Sequence, residues 1–195
     1  MAATPERPVS RQPIPDHARV AYEGTLFDVV QWDQELFDGT VASFEKVKRP
    51  DTAYVIPVTA AGDLVIVEQT QSGSQTYYGL IGGRIEKDEA PEEAARRELL
   101  EEAGLRADGF ELLDSFQFLP KIDWAIFVYV ARGISAAENA SPDAGEKIRT
   151  VTLSLGQFLN LLTEDRFGDL EIALRFLRRS ATAEGLRSMT VALSP

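Results

Sequence analysis

The chain has 195 residues, 44% hydrophobic and 26% charged, which suits one generous domain, or a core of about 140 residues with an extension. A net charge of −11 argues against binding a nucleic-acid backbone, which needs a basic face, and the absence of cysteine excludes disulfides, thiol nucleophiles and thiolate metal sites, as in a reducing cytoplasm. The single histidine, His17, lies near the start, so acid–base or metal chemistry has to use carboxylates.

Residues 1–16, rich in Pro, Arg and Ser and without the apolar stretch of a secretory signal, are expected as a loose tail. No apolar run reaches the ~18–20 residues of a membrane span. Segments 19–24, 25–32 and 40–49 read as strands, with a turn in 33–39. Residues 52–60 read as a buried strand, and Ala61-Gly62-Asp63 as a tight turn returning 63–69 against it as a hairpin. A loop, 71–79, precedes a helix over 91–103, and 110–118 and 122–131 resume strand character. A polar loop, 133–147, leads to a strand over 148–155 and amphipathic helices over 156–165 and 170–179, while the last residues are ambiguous. Three parts are expected: a tail and strand extension over 1–50, a mixed α/β core over 51–180, and a C-terminal tail over 181–195.

The helix over 91–103 carries the chemistry. Pro91 suits a first turn, where its missing N–H has no partner to lose, and Gly104 suits a left-handed cap. Ala94, Ala95, Leu99 and Ala103 form a stripe small enough to lie against a sheet. Glu92 and Glu93 face Arg96 and Arg97 one turn on. Glu98 and Glu102, four apart, have no basic partner one turn away, and Glu101 joins them in a carboxylate cluster. Helix geometry alone leaves two readings open, a metal site or a solvated acidic face. Gly82-Gly83 ahead of the helix lets backbone approach a ligand, a helix N-terminus favours anionic groups such as phosphate, and an all-oxygen cluster selects Mg²⁺ or Mn²⁺.

From Gly83 the chain reads Gly, five residues, Glu89, seven residues, Arg97-Glu98-Leu99, one residue, Glu101-Glu102, one residue, Gly104-Leu105. This resembles the complete Nudix box of the Nudix hydrolases. The resemblance implies an α/β/α sandwich with a mixed sheet, and hydrolysis of a nucleoside-linked diphosphate with Mg²⁺ or Mn²⁺. It implies Glu98 and Glu102 as metal ligands, Glu101 as a ligand or catalytic aid, and the Gly82 carbonyl as a further ligand. Arg97 would orient the glutamates, while Glu89, with Gly83 and Gly104, would fix loop and helix. Residues 19–180 are similar to the ADP-ribose pyrophosphatase-like branch of nucleotide-sugar hydrolases. Pro120 falls about where that branch has a proline near its substrate. The branch often has Gln-x-Arg where this chain has Gln69-Thr70-Gln71, which places Gln71 beside the pocket without the cation. It also tends to have Glu-Leu-Pro-Ala-Gly where this chain has Gly79-Leu80-Ile81-Gly82-Gly83.

A carboxylate base is needed, since histidine and cysteine are unavailable. The resemblance puts it in loop 133–147, with Glu146 first and Glu138 and Asp143 behind it. Phe27 and Trp32 are candidates for stacking on a nucleobase, with a core role as the alternative. Apolar residues in 19–49 need a partner surface, and the resemblance implies a homodimer in which those strands reach a second subunit. Alternatives are another substrate, such as a dinucleotide or an oxidised nucleotide, and a silent nucleotide-sensing domain. The box glutamates are all present, which argues against the silent domain.

Overall fold

The computed structural model describes residues 4–137 and 146–195. Strands β1 (Arg19–Tyr22), β2 (Asp28–Glu35) and β3 (Val41–Lys48) form an antiparallel meander, and the β2–β3 turn closes with Leu36 N–H donating to Thr40 O at 2.7 Å. The expected loose tail is docked in its described part: Arg7 pairs with Asp51 and Asp123, and Lys46, 1% exposed, donates to Ser10 Oγ and Gln12 O. A buried ammonium must be hydrogen-bonded, so Lys46 holds residues 10–12 in place.

Strand β4 (Thr52–Pro57) turns through 59–63 into β5 (Leu64–Gln71). The expected hairpin is only its tip. Val58 bridges Leu64 and Thr59 N–H donates to Asp63 O, after which the strands part. Both edges of β4 are taken, by β7 (Ile81–Arg84) on one side and β11 (Ala125–Arg132) on the other, so β5 has no ladder to join. It pairs instead with β6 (Tyr77–Gly79), inside the expected loop, and with β13 (Glu146–Leu153). The mixed sheet is completed by β9 (Gly109–Gln117), and a short β8 (Leu105–Arg106) pairs with β12 (Ser135–Ala136). Strand β10 (Ile122–Asp123) runs parallel to β3 and stitches the N-terminal meander to the core.

Side chains alternate between two cores, as strands covered on both faces require. Ala53, Val55, Val65, Val67, Phe127 and Tyr129 pack under α1 (Pro91–Ala103). Tyr54, Ile56, Leu64, Ile66, Ile126 and Val128 face α2 (Leu155–Leu161), α3 (Leu170–Ser180) and α4 (Ala183–Ala192). The result is an α/β/α sandwich on a mixed sheet. The expected C-terminal tail is helix α4, whose Met189 is fully buried in the second core along with Leu193.

Candidate active site

Helix α1 starts at Pro91, with the Glu93 carboxylate accepting from the Ala90 N–H at 3.0 Å, and ends on Gly104 at φ 63°, ψ 30°. Ala94, Ala95 and Leu99 are fully buried against the sheet, which turns Glu98, Glu101 and Glu102 toward β7 and a cleft of about 1030 Å³. Gly83 is opposite Ala53 on β4 and touches the Glu98 carboxylate, which occupies the space a Cβ would need. Gly82 is packed as closely against Ala53 O and Tyr54, and its N–H donates to Glu102 Oε2 at 3.0 Å. A side chain at Gly82 would run into the backbone of β4, and one at Gly83 would displace the Glu98 carboxylate.

Arg97 links the acids. Its guanidinium forks onto Glu89 at 2.9 and 3.1 Å, donates to Glu98 Oε1 at 2.7 Å and Glu101 Oε2 at 3.1 Å, and reaches Arg84 O at 3.0 Å. Glu89 also accepts from the Glu86 N–H at 2.9 Å, so the loop after β7 and the helix share one ion-pair network. The sequence spacing left Glu98 without a cation one turn away; the adjacent Arg97 supplies one at 2.7 Å. The bond to Arg97 holds Glu89 below the usual carboxylate range. Burial pushes Glu98 up, outweighing the downward pull of Arg97.

Among the described residues no three carboxylates converge as a ready cage, since Arg97 draws on Glu98 and Glu101 while Gly82 draws on Glu102. The donor set nevertheless fits a hard cation: carboxylate oxygens on one helix face, and a buried Glu98 whose charge a cation would compensate.

The cleft also takes in Gln69, Gln71, Tyr77, Arg84 and Lys87, together with Arg49, Trp124, Tyr54, Asp169 and Glu171. The last five were not singled out from sequence. The Arg49 guanidinium lies 4.2 Å from the Trp124 ring centroid, and its Nε is buried without a hydrogen-bond partner. Tyr54 Oη donates to Glu171 at 2.7 Å, with Asp169 at 3.3 Å, and Asp169 accepts the Leu80 N–H at 2.7 Å. Burial first, then the charge of Glu171, pushes Asp169 up to about 7.

Other expected residues are placed apart. Trp32 is 4% exposed and tilted against its cross-strand partner Phe44 at 6.1 Å, so it is buried within this chain. Pro120 lies in a smaller hollow with Phe116, Leu119 and Arg178, since the turn after β9 swings toward residues 10–11 and α3. Phe27 is half-exposed with Arg49 5.8 Å from its ring centre, while its neighbour Leu26 lines the cleft. Glu146 opens β13 opposite Gln71, and its side chain, like Glu138 and Asp143, lies outside what is described.

Residues 48–176 match the family model of the NUDIX domain. The chain is 34% identical over 162 residues to the methanol dehydrogenase activator of Bacillus methanolicus, covering 80% of this chain and 88% of that protein. It is 29% identical over 155 residues to the ADP-ribose pyrophosphatase of Bacillus subtilis (strain 168), covering 78% and 84% of the two chains. Identity to the ADP compounds hydrolase NudE of Escherichia coli (strain K12) is 26% over 146 residues, covering 74% and 78%. A crystal structure of an ADP compounds hydrolase superposes with a TM-score of 0.69 at 21% identity, covering 89% of this chain and 97% of that one, a likeness of fold. The family model takes in well over half of the sequence, including the whole stretch in which Arg97 gathers the glutamates, and the chain therefore belongs to the NUDIX family.

Proposed function

We propose that this chain is a Mg²⁺- or Mn²⁺-dependent pyrophosphatase that cleaves the diphosphate of an ADP-linked compound, ADP-ribose or another nucleotide sugar first, to a nucleoside monophosphate and a phosphorylated sugar. The observation that carries this is the seating of Glu98 and Glu102 on Gly83 and Gly82 at the wall of a cleft large enough for a nucleotide. Glu98, Glu102 and Glu101 would hold the cation, with the Gly82 carbonyl completing the set. When bound, the cation neutralises the diphosphate and lowers the pKa of a water. Arg97 keeps the carboxylates oriented, its fixed fork being suited to several acids at once.

Glu146 is the base in this reading, accepting the water's proton on its carboxylate. Its support is its position on β13 across from Gln71, a residue of the cleft. Arg49, stacked on Trp124 with an unpaired Nε, supplies the positive charge that Gln71 lacks, and it directs the anionic substrate along the cleft. The names of the 29% and 26% relatives, both ADP-compound hydrolases, support the substrate class. A second copy would cover the exposed Val20, Tyr22, Phe37 and Val41 of the N-terminal sheet as a homodimer.

The test is a panel of ADP-ribose, other nucleotide sugars, dinucleotides and oxidised nucleotides with Mg²⁺ or Mn²⁺, with products identified. The reading expects monophosphate pairs, ADP-ribose or another nucleotide sugar foremost, and no turnover in EDTA. Turnover that survives EDTA, or release of inorganic phosphate instead, would refute it.

A further inference from the structure

Arg7, in the segment expected to be a loose tail, reaches the strand ends that frame the cleft. Its guanidinium forks onto Asp51 at 2.7 and 2.9 Å and donates to Asp123 at 3.3 Å. Asp51 stands at the head of β4. The Oδ1 that Arg7 holds also accepts the Ala125 N–H of β11 at 2.8 Å, and the Asp51 carbonyl accepts the Ile85 N–H, just after β7, at 2.9 Å. Asp51 therefore ties three strands together where Thr52, Arg84 and Ile85 line the cleft. Asp123 is tied as closely. Its carbonyl accepts the Arg49 N–H at 3.3 Å, and Gln117 Nε2 donates to its carboxylate at 3.3 Å and to the Pro8 carbonyl at 3.1 Å.

The two acids frame the Arg49–Trp124 pair. Lys48 and Asp123 are register partners in the β3–β10 ladder, and Arg49 and Trp124 follow them directly. Trp124 is fixed at both ends, its backbone N–H donating to Gln117 Oε1 at 3.1 Å and its Nε1 to Thr52 Oγ1 at 2.9 Å. The Arg49 guanidinium is held differently, over the Trp124 ring and with its Nε buried and without a hydrogen-bond partner. A long side chain held by stacking keeps rotamer freedom that binding a ligand has to remove. Where this one lies depends on the backbone at 49 and on the ring beneath it. Both are anchored through Asp51 and Asp123, the acids that Arg7 clamps.

We propose that Arg7 is a positioning residue: its fork on Asp51 and its bond to Asp123 fix the Arg49–Trp124 pair at the cleft, and so set affinity for the anionic substrate without entering the hydrolytic step. This rests on the reading of Arg49 as the cation that directs the substrate.

Steady-state hydrolysis of ADP-ribose with Mg²⁺ by the full-length chain, with a thermal melt of each variant, tests it. Arg7→Ala is expected to raise KM about 5–20-fold and to leave kcat within about twofold. In an Arg49→Ala background the same substitution should add less than about twofold to KM, because its effect passes through Arg49. Native KM in Arg7→Ala, a loss carried mainly by kcat, or an undiminished effect in the Arg49→Ala background overturns the proposal. If Arg7→Ala does not fold, Arg7→Lys, which keeps the charge and loses the fork, is judged by the same outcomes. Failure of both variants to fold makes Arg7 a structural residue and overturns the proposal as well. Native KM in Arg49→Ala, or a native chain that leaves ADP-ribose intact, removes the reading of the site and this proposal with it. A raised KM in Arg49→Ala beside a native KM in Arg7→Ala removes this proposal alone.

Discussion

Gly83 has no side chain because the Glu98 carboxylate stands in its place. Gly83→Ala should therefore displace Glu98, costing about 1–3 kcal/mol of stability if the wall yields. Turnover should fall at least about tenfold, a loss of roughly 1.4 kcal/mol in the transition state. Wild-type turnover in a folded Gly83→Ala protein would mean that Glu98 is free to sit elsewhere. Asp169 gives a pH signature. Its carboxyl, faced by Tyr54 of β4, Glu171 of its own helix and the Leu80 N–H, is pushed from 3.8 to about 7 in the fold. A raised folded value means the native state keeps a proton that the unfolded chain has lost. The stability this adds is whole below the unfolded value and is lost as pH rises through about 7. Melts in EDTA should show Asp169→Asn gaining on the native chain between pH 5 and 8, by a few kcal/mol at most. A gap independent of pH would mean the carboxyl is ionised throughout. The box residues were legible because their spacing is local. Arg49 and Asp169 were not, because what marks them is an unpaired Nε over Trp124 and a bond to a backbone 89 residues away, both made only by folding.

At the scale of elements, α1 was legible to its ends, since Pro91 and the left-handed Gly104 are local signals that survive any packing. Strand β6 was hidden in a polar loop because only three residues pair, and the β4–β5 hairpin was misjudged because β7 and β11 compete for the edges of β4. Helix α4 was hidden for a related reason. Its local pattern is mixed, and it is held by Met189 and Leu193 entering a core built from distant strands. Met189→Ala should consequently cost about 2–5 kcal/mol, read by urea unfolding. A loss below about 0.5 kcal/mol would contradict the packing of α4, being the range of an ordinary surface change.

At the scale of the whole molecule, the sandwich positions one wall of the cleft and the N-terminal meander stands beside it with Phe37 fully exposed. A homodimer through that meander should appear by light scattering at micromolar concentration. Deleting residues 1–49 should give a monomer or an aggregate with poor substrate affinity although the box remains, since β3 also pairs with β10. A monomeric intact chain would rule the dimer out. The claim on which the account depends is that the α1 glutamates, with a cation, cleave a diphosphate. Phosphorus NMR of ADP-ribose with Mg²⁺ tests it most directly. The native chain should convert the diphosphate signals to two monophosphate signals, and Glu102→Gln, folded as judged by its melt, should do so about a hundredfold more slowly or worse. Equal cleavage by the two proteins would contradict the claim.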